Sequence, residues 1–261
     1  MKPTILTICL AMTALTRAEM PARGVIDEQS NRHKLAHETT VMTVTLIDRK
    51  GFREDRTLRR LDKDRGNDLR SSLTVFDAPP DIKGTALLTR ENEGKPNDQW
   101  LYFPSQRRLQ RIAQARRNGY FMGTDFTYED MDPENIDDYD YRHIRSEEID
   151  GLDCFVIEAV PSDARRRRRS GYGRRLLWIR KDIFYTIRID FFDRNNKLIK
   201  TQVNSELENL QAGVWRAKKS FVDNIAKQHQ TEVVVMSRNT ETGLPDGIFT
   251  DRHILTGRYM K

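Results

Sequence analysis

At 261 residues, with 37% apolar residues, 32% charged residues and a formal charge of +6, the chain has the length of one large domain or two small ones. The charge excess is small beside the clustered basic footprint of a nucleic-acid binder. No composition shift marks a linker and no fixed-period repeat appears, so a single domain over residues 19–261 is expected.

The N-terminus reads as an export signal. Met1 and Lys2 precede a largely apolar, uncharged core at residues 5–15, and Ala18 supplies a small residue at the expected cleavage point. The run is too short to span a bilayer. Cleavage would remove Lys2 and Arg17 and leave a charge of +4 in place of +6. It would also remove Cys9, leaving Cys154 as a lone thiol with no intramolecular disulfide partner. Cys154 sits in the apolar stretch LDCFVIEAV, where a packing role is expected. An exported chain of this modest charge is not expected to bind nucleic acid.

Residues 21–34 carry Ala22, Val25, Ile26 and Gln29 at roughly helical spacing and predict a helix. From His37 the pattern changes to period two. ETTVMTVTLID is β-branched, as strands prefer, and FREDRTLRRLD returns after Gly51. SSLTVFDAP, the short strand after DIKG, WLYFP and RRLQRI follow. In the second half YDYRHIRSEEI and LDCFVIEAV flank Asp150-Gly151, a hairpin signal. RLLWIR, DIFYTIRIDFFD, NKLIKTQVNSELENL, VWRAKKSFVDNI and HQTEVVVMS complete the series, and GIFTDRHIL suits one short helix. Ten or eleven strands in near-unbroken succession imply an antiparallel meander. The expected class is mainly β (α+β): one curved antiparallel sheet with a polar and an apolar face, its concave side partly covered by a helix and loops.

Little of this points to catalysis. His33 and His37 are four residues apart but lack the intervening Glu of a metalloprotease helix, and no metal site or cofactor is expected. Asp125, Glu129 and Asp130 form the nearest approach to a carboxylate cluster, but a short helix starting near Thr124, with Thr or Asp as its cap, is the favoured account of them. No G-x-S-x-G elbow, phosphate loop or paired CxxC occurs. An acidic stretch at residues 132–140 lacks the spacing of a calcium loop. Arg165, Arg166, Arg167, Arg168 and Arg169 are consecutive in a loop between strands. Such a block is a solvated loop or a contact for anionic head groups or an acidic partner. Large aromatic residues gather around Gly119 and Gly123, whose freedom suits a lid.

The ordered series WLYFP (100–104), RRLQRI (107–112) and FMGTDFTYEDM (121–131) resembles the outer-membrane lipoprotein-sorting proteins, the LolA-like group of exported carriers. FDAPPDIKGTALL, EEIDGLDCFVIEAVP, LLWIRKDIFYTIRIDFFD and GIFTDRHIL support the likeness, which runs from about residue 46 to 255. Ser105-Gln106 departs from the apolar pair more usual after the proline. The resemblance implies an unclosed antiparallel β-barrel (LolA-like) with helices plugging its open side. It implies a periplasmic, non-enzymatic carrier of lipid or lipidated protein, with transient membrane contact and an inner-membrane exporter as possible partner. An accessory subunit of such an exporter is the alternative. Trp100, Tyr102, Phe121, Met122, Phe126 and Trp178 are the expected cavity or lid residues, and the five arginines the expected membrane or partner contact.

Overall fold

The structure, a computed structural model, describes residues 20–67, 69–211 and 213–260. The expected signal segment, residues 1–18, lies outside them. Helix α1 (Ala22–Arg32) comes first. The strands β1 (His37–Ile47), β2 (Arg53–Asp64), β3 (Arg70–Ala78), β4 (Ala86–Arg90), β5 (Asp98–Phe103) and β6 (Arg108–Arg111) follow. After a long connection come β7 (Tyr139–Ile149), β8 (Leu152–Pro161), the short helix α2 (Ala164–Arg169), β9 (Arg174–Arg180), β10 (Tyr185–Phe192), β11 (Leu198–Gln211), β12 (Val214–Asn224) and β13 (His229–Asn239). A 3-10 turn at Asp246–Phe249 and helix α3 (Asp251–Leu255) close the chain.

All of these strands join one antiparallel 13-stranded sheet, in the order β6-β5-β4-β3-β2-β1-β13-β12-β11-β10-β9-β8-β7. The expected unclosed, mainly β fold is therefore observed, and every stretch read as a strand in the sequence forms one, the short β4 and β6 included, so the sheet has thirteen strands where ten or eleven were counted. Each hairpin places sequence neighbours side by side. The exception is β1, which also pairs with β13, Val44 lying opposite Val233. The two free edges, β6 and β7, are thus mid-chain, and residues 112–138 must bridge them.

Residues 112–138 cross the concave face. Phe121 packs against Val44, Leu58, Phe76, Leu87 and Leu101, with Met122, Tyr128 and Met131 beside it. On the other half of the same face, α1 lays Ala22, Val25 and Ile26 on Phe155, Ile157, Ala159, Leu177 and Ile179. Successive strand residues point to opposite faces, so a second pair of clusters lies behind these. Leu73, Val75, Ala86, Leu88 and Tyr102 are covered by Phe249, Ile254 and Tyr259 of the C-terminal segment. Cys154, Val156, Trp178 and Ile187 form the other.

This corrects the expectation of one apolar and one polar face. The continuous apolar runs of β3, β4 and β8 are buried on both sides. The alternating polar strands instead carry charge inward: Arg60 and Asp62 on β2 pair at 2.8 Å, and Glu38 on β1 pairs with Arg216 at 3.0 Å and also with Arg238. Buried charges persist only where paired and hydrogen-bonded, and each of these has its counter-charge on the same face.

Candidate functional site

The region between α1, the crossing segment and the concave sheet is not filled. A cavity of about 910 Å³ lies at the seam between the sheet edges. A second of about 500 Å³ lies under α1. Asp130, Asp132, Pro133, Glu134 and Ile136 line both, so this part of the crossing segment is their shared wall. The larger cavity alone is at the upper end of the about 300–1,000 Å³ typical of ligand pockets, and the two together exceed it.

Its lining is amphipathic. Phe126, Ile136, Tyr139, Ile189 and Phe191 supply apolar surface to the larger cavity, while Ile26, Leu177 and Ile189 do so in the smaller. Arg60, Asp62, Ser72, Asn204 and Arg216 also line the smaller cavity. In the larger, Arg175 grips Glu134 through two parallel bonds of 2.8 Å and stacks 4.3 Å from the Tyr139 ring centre. Arg117 is paired with Asp132 and donates to the Asn97 carbonyl at 2.6 Å.

The electrostatics of the seam follow from burial. Burial pushes the Asp138 carboxyl up to about 6, against the lowering effect of its partner Arg166. Burial likewise raises Glu129, although Ser170 and the Gly171 amide donate to it, and raises Asp132 despite Arg117. Tyr139 is pushed far above its usual range by the same desolvation.

The crossing segment is held, not loose. The Asp125 carboxylate accepts from Asn224 Nδ2 at 2.9 Å and Thr231 Oγ1 at 2.8 Å, and contacts His229 Nδ1 at 2.7 Å. The buried Lys200 ammonium lies 2.6 Å from Asp130 Oδ2 and 2.7 Å from the Tyr172 hydroxyl, and donates to the Asp125 carbonyl at 3.2 Å. The three carboxylates singled out in the sequence therefore have structural partners: Asp125 with β12 and β13, Asp130 with β11, and Glu129 with the segment after α2. No capped helix forms at Thr124; its hydroxyl donates to the Phe121 carbonyl at 2.7 Å within a tight turn. Gly119 and Gly123 lie in this hydrogen-bonded segment, Gly123 at a positive φ of 81°.

Of the six expected lining residues, Phe126 faces the larger cavity. Phe121 is core, its ring 5.5 Å from Phe76 and 5.8 Å from Tyr128. Met122 is half-buried beside it, its carbonyl taking a bond from Arg56. Trp100 and Tyr102 lie on the opposite face of β5, under the C-terminal segment, where Tyr102 meets Tyr259 edge-on at 6.0 Å. Trp178 alternates with Leu177 and Ile179 and so points away from α1, with Arg188 over its ring at 4.7 Å. Of the arginine run, Arg165, Arg166 and Arg169 line the larger cavity. Arg167 donates to the Pro161 carbonyl and Arg168 is exposed. The run forms α2, not an open loop, because Asp163 accepts from the Arg166 amide at 2.7 Å as its cap. Lining residues missed by sequence reasoning include Ile189, Phe191 and Arg175; the alternation within TIRIDFF carried a signal for the first two.

Cys154 is fully buried, and its thiol is pushed up to about 11 by desolvation. His33 is likewise structural: its Nδ1 accepts the Trp215 amide at 3.1 Å, and its Nε2 meets the carbonyls of Ile183 and Phe184 at 3.1 Å each. Among the described residues no helix is long and apolar enough to cross a membrane.

The sequence matches, over residues 68–256, a family described only as uncharacterized protein. Among solved structures, an outer membrane lipoprotein-sorting protein domain from Vibrio parahaemolyticus is 28% identical, with a TM-score of 0.84, 90% of this chain and 98% of that one being covered. A DUF1329 family protein from Desulfovibrio piger is 25% identical, with a TM-score of 0.83, covering 89% and 97%. A LolA superfamily protein from Nitrosomonas europaea shares the fold at 19% identity and a TM-score of 0.71, covering 90% and 100%. No curated protein matches the chain. The likeness read from the sequence is thereby borne out.

Proposed function

Because the chain belongs to the family matched over residues 68–256, within the LolA-like, lipoprotein-sorting group, we propose that it is a non-enzymatic carrier of an amphiphile in the periplasm. Its cargo is a lipid, or a protein's acyl chains, moved between inner and outer membranes. The observation that carries this reading is the pair of adjoining cavities between α1, the crossing segment and the open sheet, about 910 and 500 Å³, lined by both apolar and charged side chains.

The physics suits transfer. Each methylene removed from water gains about 0.8 kcal/mol, so an acyl chain does not cross an aqueous compartment unaided. A wholly apolar tunnel would bind such a chain tightly and release it slowly. Here Ile189, Phe191 and Phe126 offer apolar contact, while Arg175, Arg165 and Arg169 stand where a polar or anionic head group would lie.

The test is binding of a fluorescent fatty acid. Ile189→Trp, which fills the wall common to both cavities, is expected to weaken binding by at least about tenfold. Trp100→Ala and Trp178→Ala are expected to leave it unchanged. Unaltered binding in folded Ile189→Trp protein, or loss only in the two Trp variants, would sink this reading.

A further inference from the structure

The meander sends alternate connections to opposite ends of the sheet. Residues 48–52, 79–85, 104–107, 162–173, 193–197 and 225–228 all fall at one end, as the strand registers require: Ile47 pairs with both Arg53 and Gln230, and Arg174 lies opposite Phe192. By sequence these six connections hold twelve lysines and arginines against four aspartates. The hairpin connections at the other end, 65–69, 91–97, 150–151, 181–184 and 212–213, hold three cations against five acidic residues.

Three of the four aspartates in these six connections are turned into their own backbone, while Asp137 and Asp138, which the crossing segment brings to the same end, pair with Arg23 and Arg166. Asp48 accepts from the Lys50 and Phe52 amides at 2.8 and 2.9 Å, Asp163 caps α2, and Asp193 accepts from the Asn195 and Lys197 amides at 2.8 and 2.9 Å. Lys50, Arg168, Arg194, Lys197 and Lys227 are all exposed, although the Lys227 ammonium lies 3.2 Å from the Tyr120 ring centre. Arg194 also ties two of the connections together, donating to the carbonyls of Arg168 and Ser170 at 2.8 and 2.9 Å.

Two large apolar side chains stand at the tips of neighbouring connections at this same end. Phe52 is 70% exposed and Ile225 is 44% exposed. An aromatic side chain offered to solvent amid cations has no packing role in the fold. It suits the boundary of head groups and acyl chains, where apolar tips bury and Lys and Arg meet phosphate.

We infer that this basic end is a docking surface for an anionic lipid bilayer, with Phe52 and Ile225 entering the head-group boundary and the surrounding cations meeting lipid phosphates. The inference does not depend on what the cavity holds. It does place α2, which lines the larger cavity, against the membrane.

The experiment is co-sedimentation of the purified protein with vesicles of phosphatidylglycerol and phosphatidylcholine in equal parts, and with phosphatidylcholine alone. Binding to the anionic vesicles is expected to be stronger by at least about tenfold and to weaken as salt screens the charges. Lys50→Gln, Arg168→Gln and Lys197→Gln together should remove most of that preference, whereas Arg65→Gln with Lys181→Gln at the opposite end should not. A Phe52→Trp reporter should shift its emission to the blue on anionic vesicles. Equal binding to both vesicle types, equal losses from the two ends, an unshifted reporter, or capture of an acidic protein without vesicle binding would each overturn the inference.

Discussion

The Lys200 ammonium lies 2.6 Å from the Asp130 carboxylate, joining the crossing segment to β11 across the interior of the open sheet. Lys200 is 2% exposed, and its other contacts are the Tyr172 hydroxyl and the Asp125 carbonyl. The segment that bridges the free edges is therefore fixed by a buried ion pair as well as by Phe121, and the cavity wall at residues 130–136 is positioned by that anchor.

Lys200→Met is expected to destabilise the fold by about 3–5 kcal/mol, since it strands Asp130 without its counter-charge. Adding Asp130→Asn should recover part of the loss. Urea denaturation of the three proteins checks this; a loss under about 1 kcal/mol in the single variant would show that the pair does not anchor the segment.

His33 should make stability depend on pH. Burial lowers its pKa below the ordinary 6.5, outweighing the carbonyls of Phe184 and Ile183, and protonating Nδ1 would break its bond from the Trp215 amide. The unfolded chain then binds the proton more readily than the native one, so stability rises with pH in this range. The contribution is complete above about 6.5 and is lost as pH falls from there through the folded value. His33→Gln protein should melt lower at pH 7.5 and show a smaller drop in Tm on acidification; parallel curves would contradict the assignment.

Asp138 works in the opposite sense. Its folded pKa is raised to about 6, burial outweighing Arg166, so the native state takes up a proton there more readily than the unfolded chain. Its stabilising contribution is present at low pH and lost as pH rises through about 6. Asp138→Asn is expected to gain stability relative to the native sequence at pH 7, with the gap narrowing toward pH 5. A gap that is constant with pH would refute this. Protonation also frees Arg166 of its partner, adding net positive charge to the wall of the larger cavity.

The sheet was legible because most strands carry period-two patterning, and β3, β4 and β8 short apolar runs, bounded by turn residues. Asp150-Gly151 forms the hairpin its sequence announces, with φ of 50° and 77°. Helix α1 falls within one or two residues of its predicted span. The cavity was less legible because parity within a strand says that Trp178 and Leu177 face oppositely, but not which face is concave. That depends on the β1–β13 pairing and on where α1 docks, both long-range. Aromatic size alone did not separate core from cavity: Phe121 and Tyr102 fill cores on either face, while Phe126, Tyr139 and Phe191 line the cavity beside Ile189 and arginines whose charge reads as solvent-facing in sequence. Glu38 and Arg216 lie 178 residues apart, and no local pattern announces an inward ion pair of that kind.

The central claim is carriage of an amphiphile, and the most direct measurement is native mass spectrometry of the purified protein, with organic extraction of what it holds. The account predicts a bound lipid or acylated peptide, displaced when Ile189→Trp occupies the cavity wall. Protein that emerges empty, and stays empty when lipid is added, would contradict it and favour an accessory role beside a membrane exporter.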